Sequence, residues 1–207
     1  TAPTIWYLAR LELASGGVIG ATIPGVPAIM IGRSDALGWG LTSSYLDDQD
    51  VVMERINPEN NQQYASGTGW KDFETRRSII TVNGQEPVTI TLRWSDAGPV
   101  LPGTHYNLAT VTPPGHVAAL SWTALSARDT TMTSAIRIMN SRSIPQALEA
   151  GRLFIAPAQN LMLADREGIA FQLIGAVPNR NPTHETQGRM PSTSDKLENS
   201  WDGMQDY

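Results

Sequence analysis

The sequence predicts a strand-dominated α+β fold, mostly antiparallel, with two helices placed late in the chain. Three observations carry this. Short runs rich in β-branched and aromatic residues, bounded by Gly, Pro, Asn or Asp, fill much of the chain before residue 125. The dipeptide Asn83-Gly84 stands between two alternating runs, the strongest short-range signal of a hairpin. A 3.6-residue apolar period first appears after residue 130.

In chain order, "IWYLARLEL" (5–13) alternates loosely and is rich in strand formers. "GGVIGATIPGVPAIMIGR" (16–33) gives two short apolar runs broken by Pro24-Gly25 and Pro27. "LGWGLTSS" (37–44) and "DVVMERINP" (50–58) read as strands, and "RRSIITVNGQEPVTITLRWSD" (76–96) as the hairpin. Residues 98–116 hold four prolines and three glycines and read as a loop, before a strand in "HVAALSWTAL" (116–125). Met132, Ala135, Ile136 and Met139 stand at i, i+3, i+4, i+7, which predicts a helix over 130–143. A second helix is predicted in "SIPQALEAGRLF", with Ser143 as N-cap and Pro145 in the first turn. "NLMLAD" and "GIAFQLIG" form a hairpin around "DREG", and the chain after Gly175 reads as polar loop. One domain is expected over 1–207.

Composition narrows the function classes. With 41% hydrophobic and 17% charged residues, the chain is expected to build a sizeable core. A net charge of −5 without any basic cluster argues against a nucleic-acid partner. No apolar run approaches the roughly 18 residues of a membrane helix, and no membrane partner is expected. Cysteine is absent, which excludes disulfides, thiolate catalysis and sulfur-ligated zinc. The sequence starts without Met and without a signal-peptide pattern, so it is expected to be a processed product or an excised piece. The signatures G-x-S-x-G, S-x-x-K, H-E-x-x-H and G-x-x-x-x-G-K do not occur. The three histidines, His105, His116 and His184, stand without the neighbours a triad or a metal site requires.

Four stretches carry residues suited to chemistry, each with a plainer reading beside it. In "DDQD", Asp47 and Asp50 with the Gln49 carbonyl offer hard oxygen ligands to calcium, or form a solvated turn that starts a strand. In "GWGLTSS", glycines around Trp39 suggest close backbone approach and N–H groups open to an oxyanion, or an ordinary packed strand. Asn160, at the start of an apolar strand, is placed to donate its amide to developing negative charge, or to satisfy local backbone. Arg180, in a Pro-containing turn, pins a carboxylate or lies on the surface.

Taken in order, "APTIWYLARLE", "IPGVPAIMIGRSDALGWGLTSSYLDDQDVVMERINPENNQQY", "ITVNG", "GPV", "QNLMLADREGIAFQLIGAVPNR", "GRMP" and "WDG" resemble the β-chain of the penicillin acylase family, which includes acyl-homoserine lactone acylases. The resemblance spans nearly the whole chain. It implies an N-terminal nucleophile hydrolase with an αββα sandwich, of which these residues form part of the β-chain. It implies hydrolysis of the amide bond of an N-acylated small molecule, such as a β-lactam antibiotic or an acyl-homoserine lactone, through an acyl-enzyme on an N-terminal Ser. An α-amine titrates near 8, so it serves as its own base without histidine. The resemblance implies that Ser43 N–H and the Asn160 side chain form the oxyanion hole, and that Arg180 supports the nucleophile's surroundings. It further implies that Ile31 and Leu41 line the acyl pocket, and that Asp47, the Gln49 carbonyl and Asp50 supply part of a structural calcium site, whose remaining ligands include one from a separate α-chain. An α-chain from the same precursor, the rest of the β-chain, and a periplasmic or secreted location follow as expectations.

Two features depart from that pattern. The family's S-N-x-W start matches nothing in these residues, and Arg33-Ser34 stands where the family often has His-Asn. Thr1 as nucleophile is the variant reading, against a register that sets Thr1-Ala2-Pro3 well inside the family's β-chain. The alternative from another class is a non-catalytic β-rich binding or structural domain. The two separate on whether Ser43 and Asn160 meet in space.

Overall fold

A computed structural model describes residues 5–206; Thr1 lies outside the described residues. The strands are β1 (Tyr7–Leu13), β2 (Gly16–Thr22), β3 (Ile31–Arg33), β4 (Gly38–Ser43), β5 (Gln49–Asn57), β6 (Asn60–Ser66), β7 (Gly69–Asp72), β8 (Glu74–Ile80), β9 (Val88–Ser95), β10 (Gly98–Pro99) and β11 (His116–Trp122). Helices α1 (Thr131–Asn140) and α2 (Ile144–Gly151) follow, then β12 (Gln159–Ala164), β13 (Ile169–Ile174), β14 (Ala176–Arg180), β15 (Ser192–Thr193) and β16 (Trp201–Asp206). The described residues divide into two compact units, one from residues 5–48, 126–177 and 204–206, the other from 49–125 and 178–203.

The first unit is a six-stranded antiparallel sheet, ordered β1-β2-β3-β4-β12-β13, with α1 and α2 packed on one face. Strand alternation sends Val18, Trp39, Leu161, Leu163 and Ile174 into the core beneath the helices. The opposite face carries Leu8, Ile19, Ile31, Met162 and Phe171, all exposed. Trp39 is held by its indole N–H, which donates to the Ile29 carbonyl at 3.0 Å. The close backbone approach expected around Trp39 lies elsewhere, since a Cβ on Gly40 would meet nothing within 4 Å. It occurs where Gly20 opposes Gly32 across β2 and β3; a Cβ on Gly20 would sit 2.1 Å from the Ile31 carbonyl oxygen.

Both predicted helices form, with two corrections. The buried face of α1 is Thr131, Ser134, Ala135, Ile138 and Met139, whereas Met132 and Ile136 are exposed. The helix is turned by about one residue because its two hydroxyls find backbone partners inside. Ser134 Oγ donates to the Ala150 carbonyl at 2.8 Å, and Thr131 Oγ1 accepts from the N–H groups of Ile155 and Ala156. Ser143 occupies the N-cap of α2 in extended conformation but makes no side-chain cap bond. The cap comes from the "DREG" turn, where Asp165 Oδ2 accepts the Ile144 N–H at 3.0 Å while its Oδ1 accepts from Glu167 and Gly168.

The Ile144 N–H, followed by those of Glu167 and Gly168, holds the Asp165 carboxyl below its ordinary value of 3.8. A depressed acid contributes stability that is present above the unfolded value and lost as pH falls through the folded one. Asp165→Ala is therefore expected to lower the thermal midpoint at neutral pH. The gap from the wild type should narrow as pH falls below 3.8, in melts followed by circular dichroism.

The second unit centres on β5, flanked by β11 on one side and by β6-β7 and the parallel β15 on the other. The pair β6–β7 lies in "NQQYASGTGWKD", a polar stretch without clear alternation. Tyr64 nevertheless anchors it; its ring is buried, stacks 4.8 Å from Phe73, and its hydroxyl accepts the Asp96 N–H. Burial pushes the Tyr64 phenol up to about 12.

The predicted hairpin is β8–β9, closing from Glu74–Trp94 to Ile80–Val88. Its tip is wider than a two-residue turn: the Gln85 N–H bonds the Val82 carbonyl, and Gly84 alone takes positive φ, at +74°. That is the i+2 requirement of a type II turn, which glycine meets without strain. The segment after Gly175 is not all loop, since β14 and β16 pair within it.

Candidate functional site

Ser43 and Asn160 meet, although 117 positions separate them in sequence. β4 and β12 are neighbours in the sheet, and Asn160 lies opposite Thr42. The Asn160 Nδ2 group donates to Thr42 Oγ1 and to the Ser43 carbonyl, each at 3.2 Å. The Asn160 amide is thus brought beside the Ser43 backbone and tied to the end of β4.

The Ser43 N–H has a different outlook. In an antiparallel ladder, successive residues bond alternately to one neighbour and the other. Ser44 N–H bonds the Ala158 carbonyl at 3.2 Å, so Ser44 and Thr42 face the β12 side. Ser43 N–H is then directed to the β3 side. There β3 meets β4 only at Gly32–Trp39 and Arg33–Gly38, and the Ser43 donor looks past its end. Ser43 is exposed, and the sheet surface over Gly40 is open.

Of the two residues expected to line an acyl pocket, Leu41 borders an apolar cavity and Ile31 lies on the other face of the sheet. The cavity is apolar, about 10 Å³, and bounded by Met30, Trp39, Leu41, Ala135, Phe154 and Leu161. It lies on the helical face of the sheet and has roughly the space of one water. Ile31 alternates to the opposite face, where it is 39% exposed.

Asp50 and Arg180 form a buried bidentate pair in the second unit. Arg180 Nε donates to Asp50 Oδ2 and Nη2 to Oδ1, both at 2.9 Å. The Trp201 indole N–H adds a third bond to Oδ2 at 2.6 Å. The Arg180 and Asp50 side chains are 11% and 4% exposed. "WDG" placed Trp201 in the sequence pattern, but nothing in its spacing tied it to Asp50 across 151 positions.

That pair bears on the fit for calcium. A calcium ion needs six to eight oxygens. Asp50 already neutralises a guanidinium and accepts three hydrogen bonds, Asp47 is exposed, and Gln49 starts β5 opposite Trp122. Among the described residues, no three His, Cys, Asp or Glu side chains group so as to hold a metal ion. In this arrangement the Asp50 carboxylate is held by Arg180 and Trp201. Arg180 is fixed in place by its two bonds to Asp50.

Comparison with known proteins bears on what this arrangement belongs to. The model of the family described as penicillin amidase matches residues 1–207. The acyl-homoserine lactone acylase QuiP of Pseudomonas aeruginosa is 26% identical over 209 residues, covering 99% of this chain and 24% of that protein. Penicillin G acylase of Escherichia coli is 25% identical over 194 residues, covering 93% of this chain and 22% of that protein. The chain thus spans about a quarter of the length of these relatives. A solved structure of a thermostable penicillin G acylase from Alcaligenes faecalis superposes with a TM-score of 0.83 at 22% identity, over 98% of this chain and 35% of that one. That likeness shows the fold, and the family match over every residue shows the lineage: the chain belongs to the penicillin amidase family.

Proposed function

We propose that this chain is part of an amidohydrolase that cleaves the amide bond of an N-acylated small molecule, with acyl-homoserine lactones and β-lactams as the substrate classes suggested by the relatives' names. The observation that carries the reading is the Ser43 N–H, directed past the end of β3. An attacking hydroxyl, from an N-terminal Ser that these residues do not include, adds to the amide carbon. The carbonyl oxygen becomes an oxyanion, and the Ser43 N–H stabilises it as charge develops. The intermediate collapses to an acyl-enzyme with the amine leaving, and water completes hydrolysis. Asn160 acts through β4 as a positioning residue, holding Thr42 and the Ser43 carbonyl so that the Ser43 donor keeps its direction. The apolar acyl group is received next to Leu41, where side chains must move to admit it.

The test is Ser43→Pro in the precursor that contains these residues. Proline removes the N–H on the side where no ladder bond is lost, so folding is retained. The expected loss is about 10²–10³-fold in kcat with KM little changed, read by chromatography of released acyl product. Ser43→Ala keeps the N–H and should keep the rate. Equal rates for Ser43→Pro and wild type would remove Ser43 from the mechanism, and absence of amide hydrolysis by the wild type would remove the activity itself.

A further inference from the structure

Glu54 lies in the middle of β5 and is fully buried. Neither carboxyl oxygen has a hydrogen-bond partner as placed. The cations nearby are engaged elsewhere: Arg55 leans on Asp195 at 3.8 Å, and Lys71 pairs with Asp96. A buried carboxylate without a cation is costly, and such a group usually keeps its proton instead.

The neighbours show which protonation state fits. The side chains of Ser194 and Ser95 face Glu54. Ser194 Oγ donates its one proton to the Ala65 carbonyl at 2.9 Å, so toward Glu54 it offers only lone pairs. Ser95 Oγ accepts from the Ala97 N–H at 3.2 Å and keeps its own proton to give. A carboxylic acid matches both, as donor to the first and acceptor from the second; a carboxylate matches only the second. The remaining groups around it oppose a negative charge. Asp96, after β9, and Asp195, after β15, are both acidic, Tyr64 on β6 is neutral, and the β11 partner in register is Val117.

We propose that Glu54 is a neutral carboxylic acid in the folded chain, giving its O–H to Ser194 Oγ and taking the Ser95 O–H, and that loss of this proton releases β15 and the β9–β10 turn from β5. Burial, with Asp96 and Asp195 adding to it, pushes the Glu54 carboxyl above its ordinary 4.5. The stability it contributes is fully present below 4.5 and is lost as pH rises through the folded value. The unit built on β5 is thus loosened from the alkaline side, opposite to the acid-side loss at Asp165.

Thermal melts of the 207-residue chain and of Glu54→Gln, from about pH 4 to about pH 8, test this. Glutamine keeps a donor and an acceptor at every pH. The wild-type midpoint is expected to fall relative to Glu54→Gln by about 3–5 °C per pH unit above 4.5, until the folded value is passed. Parallel profiles would overturn the proposal. If Glu54→Gln does not fold, the side-chain carboxyl ¹³C resonance of Glu54 in the wild type decides. Titration above 4.5 supports the neutral acid, and titration at or below it refutes the neutral acid.

Discussion

Replacing Asp50 by alanine is expected to cost about 3 kcal/mol, because it removes the carboxylate that takes two parallel bonds from the largely buried Arg180 guanidinium. The Asp50 carboxylate takes two parallel bonds from Arg180 and one from Trp201, and it is 4% exposed. Removing both charges is a different experiment. In Asp50→Ala with Arg180→Met, both members of the ion pair are removed together. The double variant is expected to recover at least half of the loss, since a buried pair exchanged for apolar side chains is often close to neutral. Urea titrations of the wild type, the two single variants and the double variant check this. A double variant as unstable as the sum of the two single ones would show that the pair is not coupled. The same measurement bears on calcium: a chelator should leave the wild-type midpoint unchanged if the guanidinium, not an ion, balances Asp50.

Gly20→Ala is expected to destabilise the first unit by about 3 kcal/mol, at the top of the usual range for overpacking. The added methyl would meet the Ile31 carbonyl oxygen at 2.1 Å, the Gly32 Cα at 2.6 Å and Ile29 Cγ2 at 2.7 Å. Two of these are backbone atoms of the strand paired with β2, so relief requires β2 and β3 to separate. Gly40→Ala is the control. It lies in β4 of the same sheet with nothing within 4 Å of its added carbon, and a change within about 0.5 kcal/mol is expected. Equal losses for the two variants would mean that strand propensity, not the Gly20–Gly32 crossing, sets the cost.

The sites differ in how far the sequence exposed them. Ser43 was reachable through the family resemblance of its W-G-x-T motif, and its outward N–H follows once β3 is seen to be short. Asn160 stands at a strand end, which is legible locally and suggests a free amide. Only the register opposite Thr42 shows that its amide lies against the end of β4 beside Ser43. The "DDQD" run suggested calcium because carboxylates close in sequence invite a shared cation. Arg180, 130 positions away, supplies a cation to Asp50 instead. Glu54 gave no signal, since a lone acid in "VVMERIN" looks like the polar face of an edge strand until β11, β6 and β15 enclose it.

By itself the sequence determined the elements whose causes are local: the β8–β9 hairpin from Asn83-Gly84, the existence and order of α1 and α2 from their period, and the family from the succession of its motifs. Tertiary structure alone decided which face α1 buries, which acid caps α2, why Gly20 and Gly32 must lack side chains, and which charges are paired. Each of these depends on a partner more than ten residues away, brought close by sheet register, and register is set by the packing of whole strands rather than by any short stretch of chain.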